Sequence, residues 1–446
     1  MVKESIYNYS TSITLGDKVK QLVYNTRSRR LINFTNRSFQ EISSQEERIL
    51  IEQGFLVSDT RDECVEMEYD RLCRIFQKEM LSLTIIPTSD CNFRCVYCYQ
   101  TASDGYITSS VINNIISYLE KNARYYKAVS ISWFGGEPLL CKNEVLEILQ
   151  QAALICKKNK VSLVSYMTTN AYELDLVFFE KALSYGLRYY QITIDGLAEE
   201  HNSQRPHCTN NDSYEKIIKN LTEIAKQFQT KRFEIGLRVN VSSNNIGSME
   251  RFTDEMVRLF GHDRHFVMIW QWVRDWGGNR LDKKSLISND ACRKLMDDSI
   301  KKGLRCHEIL SCQAGTDTCE AMYKSGLVFN FDGNVYKCAM RVFNADEHKK
   351  NCVGKLLENG NIVFDKGIEA QWLLPTVRQS CYSCVFFPLC MGNACPFTMV
   401  YRNEHTCIVF KNLIPDQMKT MYLKGNYTNF EVIESAQDRK KTYGDI

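Results

Sequence analysis

Three cysteines near residue 95 are the residues of this sequence best suited to carry chemistry. Within the stretch Asp90–Cys98 they are Cys91, Cys95 and Cys98, with the spacing C-x3-C-x2-C. One short loop therefore supplies three thiolates, whereas four complete the ligand set of a cubane iron–sulfur cluster. A cluster held by three thiolates keeps one iron open, and that iron can bind and reduce another molecule. Half of a zinc site is the alternative that the spacing alone leaves open.

A second group of eight cysteines lies beyond residue 310, and it is large enough for two sites of four thiolates each. Its members are Cys312, Cys319, Cys338, Cys381, Cys384, Cys390, Cys395 and Cys407. In a reducing compartment, clustered cysteines indicate metal more often than disulfides. A pair of zinc sites is the alternative, because C-x2-C also begins a zinc ribbon. The other cysteines have no metal spacing and are interpreted as core or surface thiols. They are Cys64, Cys73, Cys141, Cys156, Cys208, Cys292, Cys306 and Cys352.

The elements that must position the first group alternate between strand and helix. Apolar runs rich in Val, Ile, Tyr and Phe predict six strands. These are Leu83–Pro87, Val129–Phe134, Leu163–Thr168, Tyr190–Ile194, Ile235–Val241 and Phe266–Trp272. Amphipathic stretches between most of them predict helices, for example Ser110–Arg124 and Leu174–Ser184. Six βα units predict a parallel sheet that curves but has too few strands to close as a barrel of eight.

Polar residues lie just after, or near the end of, every predicted strand. After the cysteine loop come Gly135–Pro138, Thr169 with Asn170, Asp195 with Gly196, Arg238 with Asn240, and Gln271. The carboxyl ends of parallel strands meet at one rim of the sheet, where such folds place their chemistry, so we expect these groups to lie together. Taken singly, each Gly-Gly or Asp-Gly pair is also explained as a turn.

The cysteine loop, with the aromatic Tyr97 just before the third cysteine, resembles the signature of the radical S-adenosylmethionine (radical SAM) enzymes. The resemblance implies a 4Fe–4S cluster whose open iron chelates the amino and carboxylate groups of SAM. It also implies that one electron cleaves SAM to methionine and a 5′-deoxyadenosyl radical. The implied fold is α/β, a partial (β/α)6 radical SAM barrel with a small N-terminal α+β module and a C-terminal cysteine-rich domain.

Two strand-end segments resemble SAM-binding motifs of the same superfamily. Gly135–Pro138 resembles its GGEP motif, in which Glu137 would accept hydrogen bonds from the SAM ammonium. Thr193–Gly196 resembles a segment near the ribose and methionine moieties, and Arg205 is a candidate partner for the SAM carboxylate. The implied cofactor-binding residues are Tyr97, Gly135, Gly136, Glu137, Pro138, Asn170, Thr193, Asp195, Arg205 and Arg238.

The eight C-terminal cysteines resemble the SPASM extension of radical SAM enzymes. Gly333-x4-Cys338 fits the family pattern, whereas Cys390-x4-Cys395 has one residue more than the pattern. The resemblance implies two auxiliary 4Fe–4S clusters, and therefore three clusters per chain. One would be held by Cys312, Cys319, Cys338 and Cys395, and the other by Cys381, Cys384, Cys390 and Cys407.

The first eighty residues predict a small strand–helix module. Gln21–Asn25 and Arg30–Phe34 predict a hairpin, and Gln45–Gln53 predicts a helix that ends before Gly54. Such a module resembles the segment with which many radical SAM peptide maturases add a leader peptide as an extra strand. A docking or capping module is the alternative. The predicted domains are therefore residues 1–80, a barrel over residues 81–305, and a SPASM-like domain over residues 306–446.

Composition excludes several classes of partner. The net charge is +3, from 56 basic and 53 acidic residues, so neither nucleic acid nor a membrane surface is an expected partner. No apolar run approaches the roughly 20 residues of a membrane span. The first residues lack the apolar core of a signal peptide, so we expect a cytoplasmic protein.

The leading functional hypothesis is a radical SAM oxidoreductase that matures a ribosomally made precursor peptide by an oxidative crosslink, expected to be a thioether. A ferredoxin- or flavodoxin-type protein would donate electrons. The first alternative is an anaerobic sulfatase-maturating-type enzyme that oxidises Cys or Ser to formylglycine. Those enzymes carry an aspartate base after the cysteine aligned with Cys338, where this chain has Ala339. The remaining alternatives are a non-catalytic, zinc-stabilised binding protein and an iron–sulfur protein that only carries electrons. The sequence assigns no catalytic acid or base.

Overall fold

The computed structural model describes residues 1–35, 38–101, 104–274, 281–287, 289–306, 319–343, 345–392, 394–407 and 414–430. Cys312 therefore lies outside the described residues. The chain forms two compact units. The first contains residues 1–75, Cys319 and the described residues from 375 onward, and the second contains the described residues of 76–306 and 320–374. The residues of the predicted SPASM-like domain are thus divided between both units.

Within the described residues the strands are β1 (Val2–Glu4), β2 (Asn8–Leu15), β3 (Lys18–Asn25), β4 (Arg30–Asn33), β5 (Leu56–Ser58), β6 (Met80–Ile86), β7 (Ala128–Trp133), β8 (Ser162–Thr169), β9 (Leu187–Thr193), β10 (Glu234–Val241), β11 (Phe266–Trp272), β12 (Gly326–Asn330), β13 (Asn334–Tyr336), β14 (Cys352–Leu356), β15 (Ile362–Phe364) and β16 (Thr428–Asn429). The helices are α1 (Ser44–Glu52), α2 (Glu63–Ile75), α3 (Ser109–Asn122), α4 (Lys142–Asn159), α5 (Leu176–Ser184), α6 (Ala198–Gln204), α7 (Ser213–Gln227), α8 (Met249–Phe260), α9 (Asn289–Lys301), α10 (Ala345–Asn351), α11 (Lys366–Leu373), α12 (Gln379–Tyr382), α13 (Phe387–Cys390), α14 (Pro396–Arg402) and α15 (Ile414–Leu423). No helix among the described residues is both long and apolar enough to cross a bilayer.

The second unit is built on one mixed sheet with the strand order β11-β10-β9-β8-β7-β6-β12-β13-β14-β15. Strands β6 to β11 are parallel and neighbour one another in chain order, which confirms the predicted α/β partial barrel. All six predicted strands are present within a few residues of their predicted bounds. The extension through β12 to β15 was not predicted, because these strands are only three to five residues long. Strand β12 runs parallel to β6, with Leu327 beside Leu83.

Local sequence explains how these elements form. In β6 every residue except the first, Met80, is buried, as expected for a strand covered on both faces. Helix α3 buries one apolar face, which includes the predicted Ile112 and Ile115. The side chain of Asp175 caps α5 by accepting a hydrogen bond from the Phe178 amide at 2.7 Å. Helices of this kind cover the sheet and leave the carboxyl ends of the strands free to form a site.

The first unit contains a sheet with the order β16-β4-β3-β2 and a separate pair formed by β1 and β5. The pairing of β3 with β4 confirms the predicted hairpin. Helix α1 begins with a capping box made by Ser43 and Glu46, and the chain then turns at Gly54, where φ is +82°. Strand β2 and helix α2 were not predicted.

One apolar core joins the N-terminal strands of this unit to its cysteine-rich segment. Leu22 and Leu31 pack in the same cluster as Leu389, Ile414 and Met418, and Cys390 lies against it. Residues almost four hundred positions apart are therefore parts of a single folded unit. The hydroxyl of Tyr7 also donates to the Tyr382 carbonyl at 3.0 Å.

Candidate active site

The cysteine loop follows β6 and is held by backbone hydrogen bonds to a second connection of the barrel. The Arg94 amide donates to the Pro206 carbonyl at 2.8 Å, and the Val96 amide donates to the Gln204 carbonyl at 3.0 Å. Both acceptors belong to the end of α6 and the residues after it, which follow β9 in the chain. Two separate strand ends therefore determine where the loop cysteines lie.

Cys91, Cys95 and Cys98 line one cavity of about 320 Å³ in the second unit. Of the ten residues expected to contact SAM, all but Pro138 and Asp195 line the same cavity. Those that do are Tyr97, Gly135, Gly136, Glu137, Asn170, Thr193, Arg205 and Arg238. The structure thus brings together strand-end residues that are up to 147 positions apart in the sequence.

The chemistry of the loop cysteines fits a cluster better than a single ion. Burial raises the pKa of the Cys91 thiol to about 12 and that of the Cys95 thiol to about 11. Both are therefore neutral thiols at pH 7 until a metal displaces their protons. No three Cys, His, Asp or Glu side chains within the described residues converge closely enough to hold one ion. Three thiols that share a cavity suit the wider ligand spacing of a four-iron cluster.

Gly135 and Gly136 allow the loop after β7 to lie directly on the segment that leads into the cysteine loop. A Cβ atom on Gly136 would lie 1.9 Å from the Asp90 carbonyl oxygen, and one on Gly135 would lie 2.6 Å from that of Thr88. Gly135 also has a φ of +129°, which favours glycine. The Glu137 amide donates to the Asp90 carbonyl at 2.8 Å. The contact that requires these glycines is therefore with the protein's own backbone.

Glu137 is buried, and its carboxylate accepts three hydrogen bonds from the protein. Oε1 accepts from the Leu139 amide at 2.9 Å and from the Thr169 hydroxyl at 2.6 Å, and Oε2 accepts from the Asn170 amide at 2.7 Å. Burial raises the pKa of Glu137, and these hydrogen bonds oppose that rise. The side chain of Asn170 in turn donates to Oδ1 of Asn92, inside the cysteine loop, at 2.7 Å.

Tyr97 is the centre of a polar network rather than a free aromatic surface. Its hydroxyl donates to Oδ2 of Asp195 and accepts from Arg205 Nη1 at 2.8 Å and from Asn240 Nδ2 at 3.1 Å. The other oxygen of Asp195 accepts from the Asn240 amide at 2.8 Å. Asp195, which the resemblance places near the ribose and methionine moieties of SAM, is fully buried within this network. Pro138 is also buried, at the start of a short 3₁₀ turn.

Arg205 combines burial with an unused hydrogen-bond donor. Its guanidinium lies 5.5 Å from the ring of Phe93 and 4.0 Å from the carboxylate of Asp195. Its Nε atom is buried and has no hydrogen-bond partner among the described residues. A buried, charged donor that lines a cavity is the complement of an anionic group on a ligand.

Several residues that line the cavity were not selected from the sequence as cofactor contacts. They include Tyr99, Gln191, Gln271, Trp272, Arg274 and Met340, of which Gln271 was noted only as a strand-end residue. Gln191 and Thr193 are two positions apart on β9 and share a face, so strand periodicity could have found Gln191. The Tyr99 hydroxyl donates to Sδ of Met340 at 2.9 Å. These two residues are 241 positions apart, and no local pattern predicts that contact.

Cys381, Cys384, Cys390 and Cys407 lie in the first unit and influence one another electrostatically. Burial, together with the nearby Cys384, Cys381 and Cys407, raises the pKa of Cys390 to about 11. Burial likewise raises the pKa of Cys381, which also responds to Cys384 and Cys407. These electrostatic interactions place the four cysteines in one region of the first unit, and their ligation of an auxiliary cluster, which the resemblance implies, stays a prediction.

The other predicted auxiliary set is less completely described. Cys338 follows β13 in the second unit, and Asn351 anchors its backbone, with Cys338 N donating to Asn351 Oδ1 at 2.9 Å. Cys319 and Cys395 belong to the first unit, and Cys312 lies outside the described residues. Of the cysteines interpreted as ordinary thiols, Cys141 and Cys156 are buried and Cys73 and Cys208 are exposed.

Comparison with known proteins agrees with this geometry. Residues 85–246 match the Radical SAM superfamily. A cysteine-type anaerobic sulfatase-maturating enzyme of Clostridium perfringens is 23% identical over 344 residues, 70% of this chain and 88% of that protein. A probable GTP 3′,8-cyclase of Methanococcus aeolicus is 28% identical over 189 residues, 40% of this chain and 56% of that protein.

A solved structure shares the fold. Native anSMEcpe with bound AdoMet and Cp18Cys peptide aligns over 78% of this chain and 98% of its own, with a TM-score of 0.53 and 17% sequence identity. The matched superfamily region runs from the end of β6 past β10 and so includes the cysteine loop. Residues 85–246 of this chain are therefore similar to the Radical SAM superfamily, and most of the chain is distantly similar to an anaerobic sulfatase-maturating enzyme.

Proposed function

We propose that this enzyme is a peptide maturase that joins two residues of a ribosomally made precursor peptide through a thioether bond. The observation that carries the proposal is the single cavity lined by Cys91, Cys95 and Cys98 and by the polar ends of the parallel strands. A polypeptide substrate is supported by the name of the sulfatase-maturating relative and by the peptide bound to anSMEcpe.

SAM suits this cavity by size and by polar groups. A volume of about 320 Å³ falls within the range of roughly 300–1,000 Å³ that is usual for small-molecule sites. Arg205 offers its unpaired Nε to a carboxylate, and Oε2 of Glu137 accepts one hydrogen bond and has room for a second from an ammonium group. When bound, SAM would supply the hydrogen-abstracting group, and a cluster on the loop cysteines would supply the electron that cleaves it.

A thioether bond removes two hydrogens from the peptide. One leaves a carbon as an atom and passes to the nucleoside that SAM supplies, and the thiol loses the other as a proton. One electron must also leave as the carbon–sulfur bond forms. The four cysteines gathered in the first unit would hold a cluster suited to accept it. With the predicted set that contains Cys338, the enzyme would carry three 4Fe–4S clusters.

Formylglycine formation is the second candidate, because the sulfatase-maturating relative is named for protein maturation. This chain has Ala339 where the sulfatase-maturating enzymes carry the aspartate base. Met340, rather than Ala339, lines the cavity. Among the described residues that line the cavity, Glu137 alone carries a carboxylate, and its oxygens already accept three hydrogen bonds. The described cavity lining therefore offers no second carboxylate that could act as the base for formylglycine formation.

Residues 1–80 are proposed to bind the leader part of the precursor. Strand β2 is an edge of its sheet among the described residues, so its outer backbone groups can pair with an added strand. A ferredoxin- or flavodoxin-type protein is proposed as the electron donor.

Incubation with SAM, a reductant and the precursor peptide encoded beside the gene tests this function. We expect a mass loss of about 2 Da, the two hydrogens of an oxidative crosslink, and the loss of one thiol that iodoacetamide can alkylate. Serine oxidation would cause the same mass loss but would leave every thiol and create an aldehyde, which a hydrazide reagent detects. Cysteine oxidation to formylglycine would release sulfur. An aldehyde product, or no change in the peptide, would contradict the proposal.

A further inference from the structure

Positively charged side chains outnumber negatively charged ones among the residues that line the cavity. Arg205, Arg238 and Arg274 contribute guanidinium groups, and the carboxylate in the described lining is that of Glu137. Glu137 forms no ion pair with these arginines. If SAM binds as proposed, its carboxylate pairs with Arg205, and its own ammonium and sulfonium groups add positive charge. SAM bound in this way therefore supplies no anionic partner to Arg238.

Arg238 has hydrogen-bonding capacity left over at the end of its guanidinium group. It projects from β10 between Thr193 of β9 and Ile269 of β11, its neighbours in the sheet register. Its Nε donates to Oδ1 of Asn240 at 3.0 Å, and the described residues supply no partner to its two Nη groups. Asp195 lies within electrostatic range, but both of its oxygens accept hydrogen bonds from Tyr97 and Asn240.

The surroundings of Arg238 suit a side chain of a substrate. Gln191, Gln271 and Tyr99 line the same cavity and are polar but uncharged at pH 7. Arg238 is partly buried, and the hydrogen bond from its Nε to Asn240 limits how far its Nη groups can turn away. A planar guanidinium held in this way binds a carboxylate through two parallel hydrogen bonds and discriminates strongly against the neutral amide.

We propose that Arg238 binds a carboxylate of the substrate, and that the segment of the peptide held in the cavity presents an acidic side chain at or beside the residue that reacts. This inference rests on the proposed peptide-maturase function and names the substrate class for that site. It assigns Arg238 to the substrate, whereas the sequence resemblance assigned it to SAM. Arg238 is thus a specificity-determining residue.

Small probes test the inference without the precursor peptide. Enzyme with reconstituted clusters and bound SAM is titrated anaerobically with N-acetyl-aspartic acid amide, which carries only a side-chain carboxylate, and with N-acetyl-asparagine amide, which is neutral and of equal size. We expect the acidic probe to bind about tenfold more tightly or better, as for a charged hydrogen-bonded pair. N-acetylglycine, which carries only a main-chain carboxylate, distinguishes an acidic side chain from a peptide C-terminus.

Matched variants locate the effect. Arg238→Gln should reduce the preference for the acidic probe to about one, and Arg238→Lys should retain part of it, because lysine keeps the charge without the two-pronged geometry. Arg205→Gln should retain the preference and weaken SAM binding instead. Iron content and the visible absorbance of the clusters show whether each variant is folded. Equal binding of both amides to the unmodified enzyme would overturn the inference. It would also fall if Arg238→Gln lost SAM affinity as severely as Arg205→Gln.

A second experiment uses the precursor peptide itself. Each acidic residue near the modified position is changed to its amide, and the rate of modification is measured with unmodified enzyme and with Arg238→Gln. The two changes should not be additive at one acidic residue, because each removes the same interaction. If every amide substitution is tolerated, the inference is wrong even though the maturase function stands. If no peptide is modified but the probes show the preference, the peptide-maturase function fails and the carboxylate site remains.

Discussion

The carboxylate of Glu137 accepts a hydrogen bond from the backbone amide of Asn170 at 2.7 Å. Glu137 follows β7 and Asn170 follows β8, so this bond joins the carboxyl ends of two neighbouring strands. Asn170 then extends the connection to Asn92 of the cysteine loop. One buried acid therefore shapes the cavity before any ligand is bound, in addition to the contact with SAM that the GGEP-like motif implies.

Glu137→Ala should weaken SAM binding by roughly ten- to a hundredfold, the value of a lost charged hydrogen bond. It should also destabilise the protein, because three buried donors lose their acceptor, at about 1–3 kcal/mol for each unsatisfied group. Glu137→Gln keeps the volume and one acceptor oxygen, so its loss of stability should be smaller. Equilibrium SAM binding and chemical denaturation measure the two effects. Unchanged SAM affinity in both variants would show that Glu137 has only the structural role.

Replacement of Cys91, Cys95 and Cys98 by alanine should abolish SAM cleavage and leave the auxiliary clusters in place. Anaerobic iron analysis should then fall from about twelve to about eight irons per chain, at four irons per cubane. Cys73→Ala, at an exposed thiol outside every predicted ligand set, is the control. Normal 5′-deoxyadenosine production by the triple variant would refute the cluster assignment. About four irons in the unmodified protein would exclude both auxiliary clusters.

Leu22→Ala should lower the free energy of unfolding of the first unit by about 2–5 kcal/mol, because Leu22 is fully buried. Since Leu22 and Leu389 share one core, the variant should also lose iron more readily from the site of Cys381, Cys384, Cys390 and Cys407. Val19→Ala, at a residue that is 54% exposed on the same strand, is the control. Iron release during denaturation provides the measurement. A destabilised N-terminal sheet with unaltered iron retention would contradict the coupling.

The same core changes how deletion of residues 1–80 must be interpreted. The truncation removes Leu22 and Leu31 and exposes Ile414 and Met418. Weaker peptide binding would then arise from the damaged first unit as well as from a lost docking strand. Substitution of exposed residues on β2 is the cleaner test of leader binding.

Gly136→Ala should disrupt the cysteine loop, because the new Cβ would overlap the Asp90 carbonyl, whose position depends on the backbone on both sides. We expect impaired loading of the SAM-binding cluster and a loss of SAM cleavage, whereas the four cysteines of the first unit should still bind iron. Gly247→Ala is the matched control, since no described atom lies within 4 Å of the position that its new methyl group would take. Electron paramagnetic resonance of the reduced protein separates the clusters. Full loading of all clusters in Gly136→Ala would contradict this prediction, because it would show that the cysteine loop tolerates a shift of the Asp90 carbonyl.

Local signals were sufficient to place much of the site from the sequence. The spacing of Cys91, Cys95 and Cys98 is a property of one loop, and the alternation of apolar strands with amphipathic helices depends on short-range periodicity. Because parallel strands must end at one rim, the convergence of Asn170, Thr193 and the cysteine loop followed from the order of the elements. Those predictions used only the sequence within single βα units and the rule that the carboxyl ends of parallel strands lie at one rim of the sheet.

The tertiary structure decided the interactions between distant segments. Only the tertiary structure shows that both carboxylate oxygens of Asp195 accept hydrogen bonds from Tyr97 and Asn240. It also shows that Gly136 lies against the Asp90 carbonyl and that Tyr99 donates a hydrogen bond to Met340. It also joins the N-terminal sheet to the segment around Leu389 in one core. Periodicity records which residues are apolar but not which partner covers them, since many surfaces of similar shape could bury the same side chain. That choice depends on packing across the whole chain, which no local pattern contains.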